Sequence, residues 1–106
     1  MNYMLRVDER AQDEIFLAME ELSPSRALRF QLELEQIFDT VIEFPFIYPM
    51  LKLARSSSKK HLRRVLIHSF PFGLIYTVLA EQEVIKIIKC YHTRSNPEKW
   101  LENIQT

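Results

Sequence analysis

Five side chains in the C-terminal half of the chain are of the types that cleavage of a phosphate ester requires. Such chemistry needs a base, an acid and positive charge near the phosphate. His92 and Arg94 lie two residues apart, so a strand would place both on one face of a sheet. His68 and Arg64 belong to an earlier strand-like segment, and Tyr91 adds a phenol. If the protein cleaves RNA, we expect the catalytic set to be His92, Arg94, His68 and Arg64.

The same stretch, "CYHTRSNPEKW", also has a purely structural interpretation. Ser95 or Asn96 is a suitable cap for a short C-terminal helix, with Pro97 in its first turn and Glu98 placed for a capping box. In this interpretation His92 ends a strand and the residues after it begin a helix. The residues alone leave both interpretations open.

A metal site is not predicted. Cys90 and His92 could share a strand face, and His61 could approach from a loop, but zinc needs three or four ligands at recognisable spacing. Cys90 is the only cysteine, which rules out an intrachain disulfide and fits a reducing compartment. We therefore interpret Cys90 as a free, buried thiol.

The zero net charge hides a division between the two halves of the chain. Residues 1–50 carry four Arg and ten acidic residues, and residues 51–106 carry ten Lys plus Arg and four acidic residues. This pattern predicts a basic face with an acidic partner, although a solvated loop or a phosphate-binding loop would have the same composition. The residues of this predicted face are Lys52, Arg55, Lys59, Lys60, His61, Arg63 and Arg64.

Length and composition exclude several classes of protein. The 106 residues suit one domain, residues 1–106. Gly73 is the only glycine, so glycine-rich phosphate loops and dinucleotide turns are excluded, and we expect neither a cofactor nor a small-molecule substrate. Early charges argue against a signal peptide, and no apolar run has membrane-spanning length. We expect a cytoplasmic protein with no membrane partner.

The patterning predicts an α+β fold. Apolar residues recur at helical spacing from Asp8 to Leu22, and Ser23-Pro24 begins a second helix, so the two form a helical hairpin. The segments "RRVLIHSF", "FGLIYTVL" and "EVIKIIKCYH" have strand composition and short connections, which favour a small antiparallel sheet. The opening "NYMLRV" is predicted as an outer strand.

These elements together resemble the ParE/RelE superfamily of toxins from bacterial type II toxin–antitoxin modules, and the ParE branch in particular. The resemblance covers nearly the whole chain. It depends on "FPFIYPML" after the second helix, "RRVLIHSFPFGLIYTV" as a strand pair, and "CYHTRSNPEKW" at the end. It implies an N-terminal strand, a helical hairpin, an antiparallel sheet and a short C-terminal helix.

The resemblance to ParE implies a plasmid-stabilising toxin that binds DNA gyrase, cleaves nothing itself, and is neutralised by an antitoxin. Such antitoxins have a DNA-binding N-terminal domain and a tail that wraps the toxin. In chains of that pattern His92 and Arg94 have a structural role. The alternative is a RelE-like endoribonuclease that enters the ribosome and cleaves messenger RNA, and a third option is a remnant without toxicity.

Overall fold

The computed structural model describes residues 2–51 and 61–96 of the chain. Their order is strand β1 (Met4–Val7), helix α1 (Glu9–Glu20), helix α2 (Pro24–Glu43), strand β2 (Leu62–Leu66), strand β3 (Phe72–Leu79) and strand β4 (Val84–His92). A 3-10 turn, Ala80–Gln82, joins the last two strands. The predicted α+β fold is confirmed. The predicted C-terminal helix lies outside the described residues.

The sheet has the order β1-β4-β3-β2 and is mixed, whereas an antiparallel sheet was predicted. The pairs β2–β3 and β3–β4 are antiparallel hairpins, as predicted. The outer strand β1 runs parallel to β4. These two strands are far apart in the sequence, so no hairpin loop constrains their direction, and the chain returns to β4 only after the two helices.

Both helices begin at side-chain caps that the sequence contains. Asp8 accepts a hydrogen bond from the Glu9 N–H at the start of α1. The Ser23 hydroxyl accepts from the Arg26 N–H at 3.4 Å, and Pro24 occupies the first turn of α2. Proline is tolerated there because the first N–H groups of a helix have no intrahelical partner. The predicted start of α2 is confirmed.

The two faces of the sheet carry separate groups of buried side chains. The larger group packs under the helices and includes Phe30, Leu34, Leu74, Tyr76 and Ile85. The smaller group lies on the opposite face, because its members alternate along the strands with those of the larger one. It consists of Leu62, Ile75, Ile88 and Tyr91, with Leu51 packed against it.

Strand β4 has a β-bulge opposite β3 and a hydrogen bond to the Glu14 carboxylate. The register with β3 shifts beside Ile75 and Tyr76, so that Ile87 and Cys90 both belong to the helix-side core. Beyond Ile87 strand β1 has ended, and Glu14 of α1 accepts the Cys90 N–H at 3.1 Å and pairs with Lys89. Helix α1 therefore covers an edge of β4 that would otherwise lack partners.

Residues 44–51, the first part of the segment between α2 and β2, are named the connector. Met50 forms an isolated bridge with Arg63, and the Leu51 N–H donates to the Leu62 carbonyl at 2.7 Å. The connector thus lies along the edge of β2 on the side of the sheet away from β1.

Candidate functional site

His92 ends strand β4 and its ring is held on two sides. The ring packs edge-to-face on Phe72, with centroids 5.3 Å apart, and Nδ1 accepts the backbone N–H of Arg94 at 3.1 Å. The His92 carbonyl accepts from the Ser95 hydroxyl at 2.6 Å and from the Ser95 N–H at 2.9 Å. These bonds shape the turn that leaves the strand.

The bond at Nδ1 limits the chemistry of His92. A nitrogen that accepts a hydrogen bond carries no proton, so the neutral ring has its proton on Nε2. The only lone pair that could remove a substrate proton is the one that faces the Arg94 N–H. His92 and Arg94 are thus joined through the backbone, in a turn, rather than as two side chains on one sheet face as their spacing predicted.

His68 does not lie on a strand, contrary to the prediction. Strand β2 ends at Leu66, and His68 is exposed in the turn that leads to β3. Ser69 in this turn has a φ of 67°, which ends the extended backbone. Arg26 of α2 donates to the Ser69 carbonyl at 3.4 Å and lies 4.9 Å above the Phe70 ring. The backbone places His68 and His92 at the same end of the sheet, because the Thr93 N–H donates to Pro71.

Arg64 and Tyr91 meet on the sheet face away from the helices. Tyr91 lies across from Gly73, and a Cβ at Gly73 would come within 2.7 Å of the tyrosine ring and hydroxyl. Burial raises the pKa of Tyr91, while the charge of Arg64 and its hydrogen bond to the phenol oppose that rise. Arg64 itself is exposed. Of the residues considered for phosphate chemistry, these two are the pair that the fold brings into direct side-chain contact.

The predicted basic face is only partly within the described residues. Lys52, Arg55, Lys59 and Lys60 lie outside them. His61 is exposed with a φ of 72°, and its carbonyl accepts from the Thr77 hydroxyl at 3.4 Å.

Arg63 has a structural role. Its Nη1 donates to the carbonyls of Tyr48 at 2.7 Å and Phe46 at 3.3 Å, and its guanidinium lies 5.1 Å above the Phe46 ring. Arg63 therefore fixes the connector to the sheet, and Arg64 is the neighbouring arginine that remains exposed.

Within residues 2–51 and 61–96, no group of three or more His, Cys, Asp or Glu side chains is arranged to hold a metal ion. Over the same ranges, no helix has both the length and the apolar composition that a membrane span needs.

Two features of this surface were not predicted from the sequence. The first is the Gly73–Tyr91 contact, for which a lone glycine within a strand-like run was the available signal. The second is the role of Arg63 as the anchor of the connector. Adjacent residues on a strand point to opposite faces of the sheet, so this alternation could have predicted that Arg63 and Arg64 have different surroundings.

Comparisons with known proteins identify the family. The family model described as ParE toxin of type II toxin–antitoxin system, parDE, matches residues 5–97. A comparison with curated protein sequences found no match.

Solved structures of toxins share the fold. A mutant of E. coli toxin RelE in the free state is 20% identical, with a TM-score of 0.64, over 99% of this chain and 100% of that one. The chromosomal ParDE system from P. aeruginosa is 14% identical, with a TM-score of 0.66, over 87% and 97%. The intact E. coli RelBE complex is 22% identical, with a TM-score of 0.59, over 88% and 99%. On the strength of the family model, this chain belongs to the ParE toxin family of type II toxin–antitoxin systems.

Proposed function

We propose that this toxin inhibits DNA gyrase by binding it, cleaves nothing itself, and is neutralised by a cognate antitoxin. The observation that carries the proposal is the hydrogen bond that Nδ1 of the His92 ring accepts. The one free lone pair of the neutral ring accepts the Arg94 N–H, and the ring is in T-shaped contact with Phe72. A general base must offer that lone pair to the substrate, so His92 is better suited to shape the end of β4.

The antitoxin partner is supported by the family and by structural relatives that were solved as complexes. Among the similar structures are the intact E. coli RelBE toxin–antitoxin complex and the RelBE2 toxin–antitoxin complex from Mycobacterium tuberculosis. We infer that this chain likewise pairs with an antitoxin that has a DNA-binding N-terminal domain.

One observation favours the alternative, a ribosome-dependent endoribonuclease. Arg64 and Tyr91 form a guanidinium–phenol pair on the face of the sheet that the helices leave uncovered. The arginine could bind a phosphate and the phenol could protonate a leaving oxygen. Against this use, the Tyr91 side chain is buried and lies over Gly73, and burial raises the pKa of the phenol, which makes it a weaker acid.

The test is to assay antitoxin-free protein for two activities side by side. One assay measures cleavage of messenger RNA on translating ribosomes, and the other measures supercoiling by purified gyrase. We expect loss of supercoiling and intact messenger RNA. Cleaved messenger RNA that becomes intact with Tyr91→Phe, in a variant shown to be folded, would overturn the proposal in favour of the nuclease.

A further inference from the structure

Helices α1 and α2 form a cleft, named the interhelical cleft, that is lined mainly by apolar side chains. Its lining comes from both helices and from Val7 at the end of β1, and its volume is about 350 Å³. Its apolar lining on the helices includes Ile15, Met19, Leu34 and Phe38. Small-molecule sites in proteins have a similar lining and volumes of about 300–1,000 Å³, so this cleft is of a size that suits a small ligand.

One aromatic ring and two amides of the lining are open to a ligand. Phe16 lines the cleft and is 61% exposed, so much of its ring is uncovered. Gln12 of α1 and Gln31 of α2 add one side-chain amide from each helix, and both residues are exposed. An exposed phenylalanine beside an apolar cleft indicates a contact surface, and the face of such a ring attracts organic cations.

Acidic residues surround the interhelical cleft. Residues three or four positions apart in a helix lie on the same face. Four exposed acidic residues have this spacing from a lining residue of the same helix, and they are Glu9, Asp13, Glu20 and Glu35. The two helices contain no lysine, and none of their arginines, Arg10, Arg26 and Arg29, has that spacing. The rim therefore carries negative charge, which a cationic ligand complements.

We propose that the interhelical cleft binds a small cationic amphiphile, an organic amine whose body is an aromatic ring on a short alkyl chain. The body lies against Met19, Leu34 and Phe38, and the ammonium group lies at the rim beside Phe16 and the carboxylates. An acid of the same shape is disfavoured by the charge of the rim. A partner helix is disfavoured by size, because one helical turn already occupies about 400 Å³. This site is independent of the choice between gyrase and the ribosome as the target.

Titration of the antitoxin-free full chain with three probes of one shape tests the inference. At about pH 7, 4-phenylbutylamine is cationic, 4-phenylbutanol is neutral and 4-phenylbutyrate is anionic. Binding is followed by NMR of methionine methyl groups labelled with carbon-13. Met19 lines the cleft, and Met4 is the internal reference, because it alternates with Leu5 and so lies on the helix-free face of the sheet.

We expect the amine to shift the Met19 signal to saturation with a Kd on the order of 1 mM or lower. The amine should bind at least about 5-fold more tightly than the alcohol, and the carboxylate more weakly than the alcohol. The preference for the amine should decrease as salt rises from about 50 to about 300 mM, because salt screens the carboxylates. The Met4 signal should not move.

A pair of double variants tests the role of the rim charge. Glu20→Gln combined with Glu35→Gln should weaken amine binding about 4-fold and leave alcohol binding within about 1.5-fold. The matched control is Glu43→Gln combined with Glu81→Gln, which removes the same charge from two exposed residues outside the rim. The control should leave the binding of both probes within about 1.5-fold of the unchanged protein.

A pair of single variants tests the apolar contact. Phe16→Ala should weaken binding of both the amine and the alcohol about 3-fold or more, because both lose the ring. Leu17 is equally exposed, at 61%, and does not line the cleft, so Leu17→Ala should change neither. Circular dichroism confirms that each variant is folded.

Three results would overturn the proposal. The first is the absence of a saturable shift at Met19, or an equal shift at Met4. The second is equal affinity for the three probes, or an equal effect of the two double variants, because either would show that the rim charge selects nothing. The third is displacement of the amine by a helical peptide of Leu and Lys at about 100-fold lower concentration, which would assign the cleft to a partner protein. Failure to inhibit gyrase would leave this inference standing, so the two proposals fail separately.

Discussion

At the scale of single residues, the only glycine of the chain leaves space for a tyrosine ring. Tyr91 lies across from Gly73 in the β3–β4 ladder, and its ring occupies the space that a Cβ at Gly73 would need. The resulting contact keeps the phenol on the helix-free face, where it reaches Arg64. Gly73 does not have a positive φ. Glycine is therefore required here for the close approach of the Tyr91 ring, and not for its backbone conformation.

Gly73→Ala should therefore destabilise the protein by about 1–3 kcal/mol, since the new methyl group overlaps the Tyr91 ring. Urea unfolding of the variant gives the change in the free energy of unfolding. In a Tyr91→Ala background the same substitution should cost less, because the overlapping ring is gone. An equal cost in both backgrounds would contradict the proposed contact.

Cys90 provides a prediction for alkaline pH. Burial raises the pKa of its thiol from 9.0 to about 12, the Glu14 carboxylate adds to that rise, and Lys89 opposes it. The folded state thus keeps a proton that the unfolded state loses as pH rises. The thiol's contribution to stability is complete below about pH 9 and is lost progressively up to about pH 12.

The free energy of unfolding should therefore fall more steeply with pH for the unchanged protein than for Cys90→Ala. From about pH 9 to about pH 10 the difference between the two should change by about 1 kcal/mol. Urea unfolding at each pH measures it. The titration of Tyr76 is common to both proteins and cancels, and that of Tyr91 nearly cancels, because Cys90 makes the smallest contribution to its raised pKa. Parallel pH profiles would contradict the raised thiol pKa.

At the scale of elements, the adjacent arginines of β2 differ in role. Arg63 bonds two connector carbonyls with one guanidinium nitrogen and stacks on Phe46. Arg64 is exposed on the opposite sheet face and contacts Tyr91. Reversing the charge of both together would mix damage to the fold with loss of partner binding, so of these two arginines Arg64 is the suitable one for testing the basic face.

Arg63→Lys should cost about 1–2 kcal/mol of unfolding free energy, because an ammonium group lacks the planar guanidinium that stacks on Phe46 while donating to two carbonyls. Arg64→Lys, the matched control on the next residue, should cost less than about 0.5 kcal/mol. Thermal or urea unfolding of both variants measures the difference. Equal costs would show that Arg63 does not anchor the connector.

Much of the element order could be predicted from local signals. Ser23-Pro24 defines the start of α2, and the apolar, β-branched runs define β2, β3 and β4. The parallel direction of β1 could not be predicted, because it depends on a pairing between strands that are distant in the sequence. The prediction for His68 failed because Ser69 adopts a positive φ, which its residue type does not require.

At the scale of the whole molecule, the division of charge in the sequence follows the order of the helices and strands along the chain. The half of the chain with an excess of acidic residues, 1–50, contains β1 and both helices. The half with an excess of basic residues, 51–106, contains the rest of the sheet. Composition could predict this division, but it could not separate exposed cations from structural ones. That distinction depends on which carbonyls and rings the backbone brings near each guanidinium, as Arg63 illustrates.

The measurement that tests the central claim most directly is gyrase supercoiling of relaxed plasmid, titrated with antitoxin-free toxin and with its His92→Asn variant. The Asn side chain can replace Nδ1 as the acceptor of the Arg94 N–H but has no imidazole chemistry. We expect both proteins to abolish supercoiling at concentrations within about 3-fold of each other. Normal supercoiling in the presence of the folded, unchanged toxin would contradict the account.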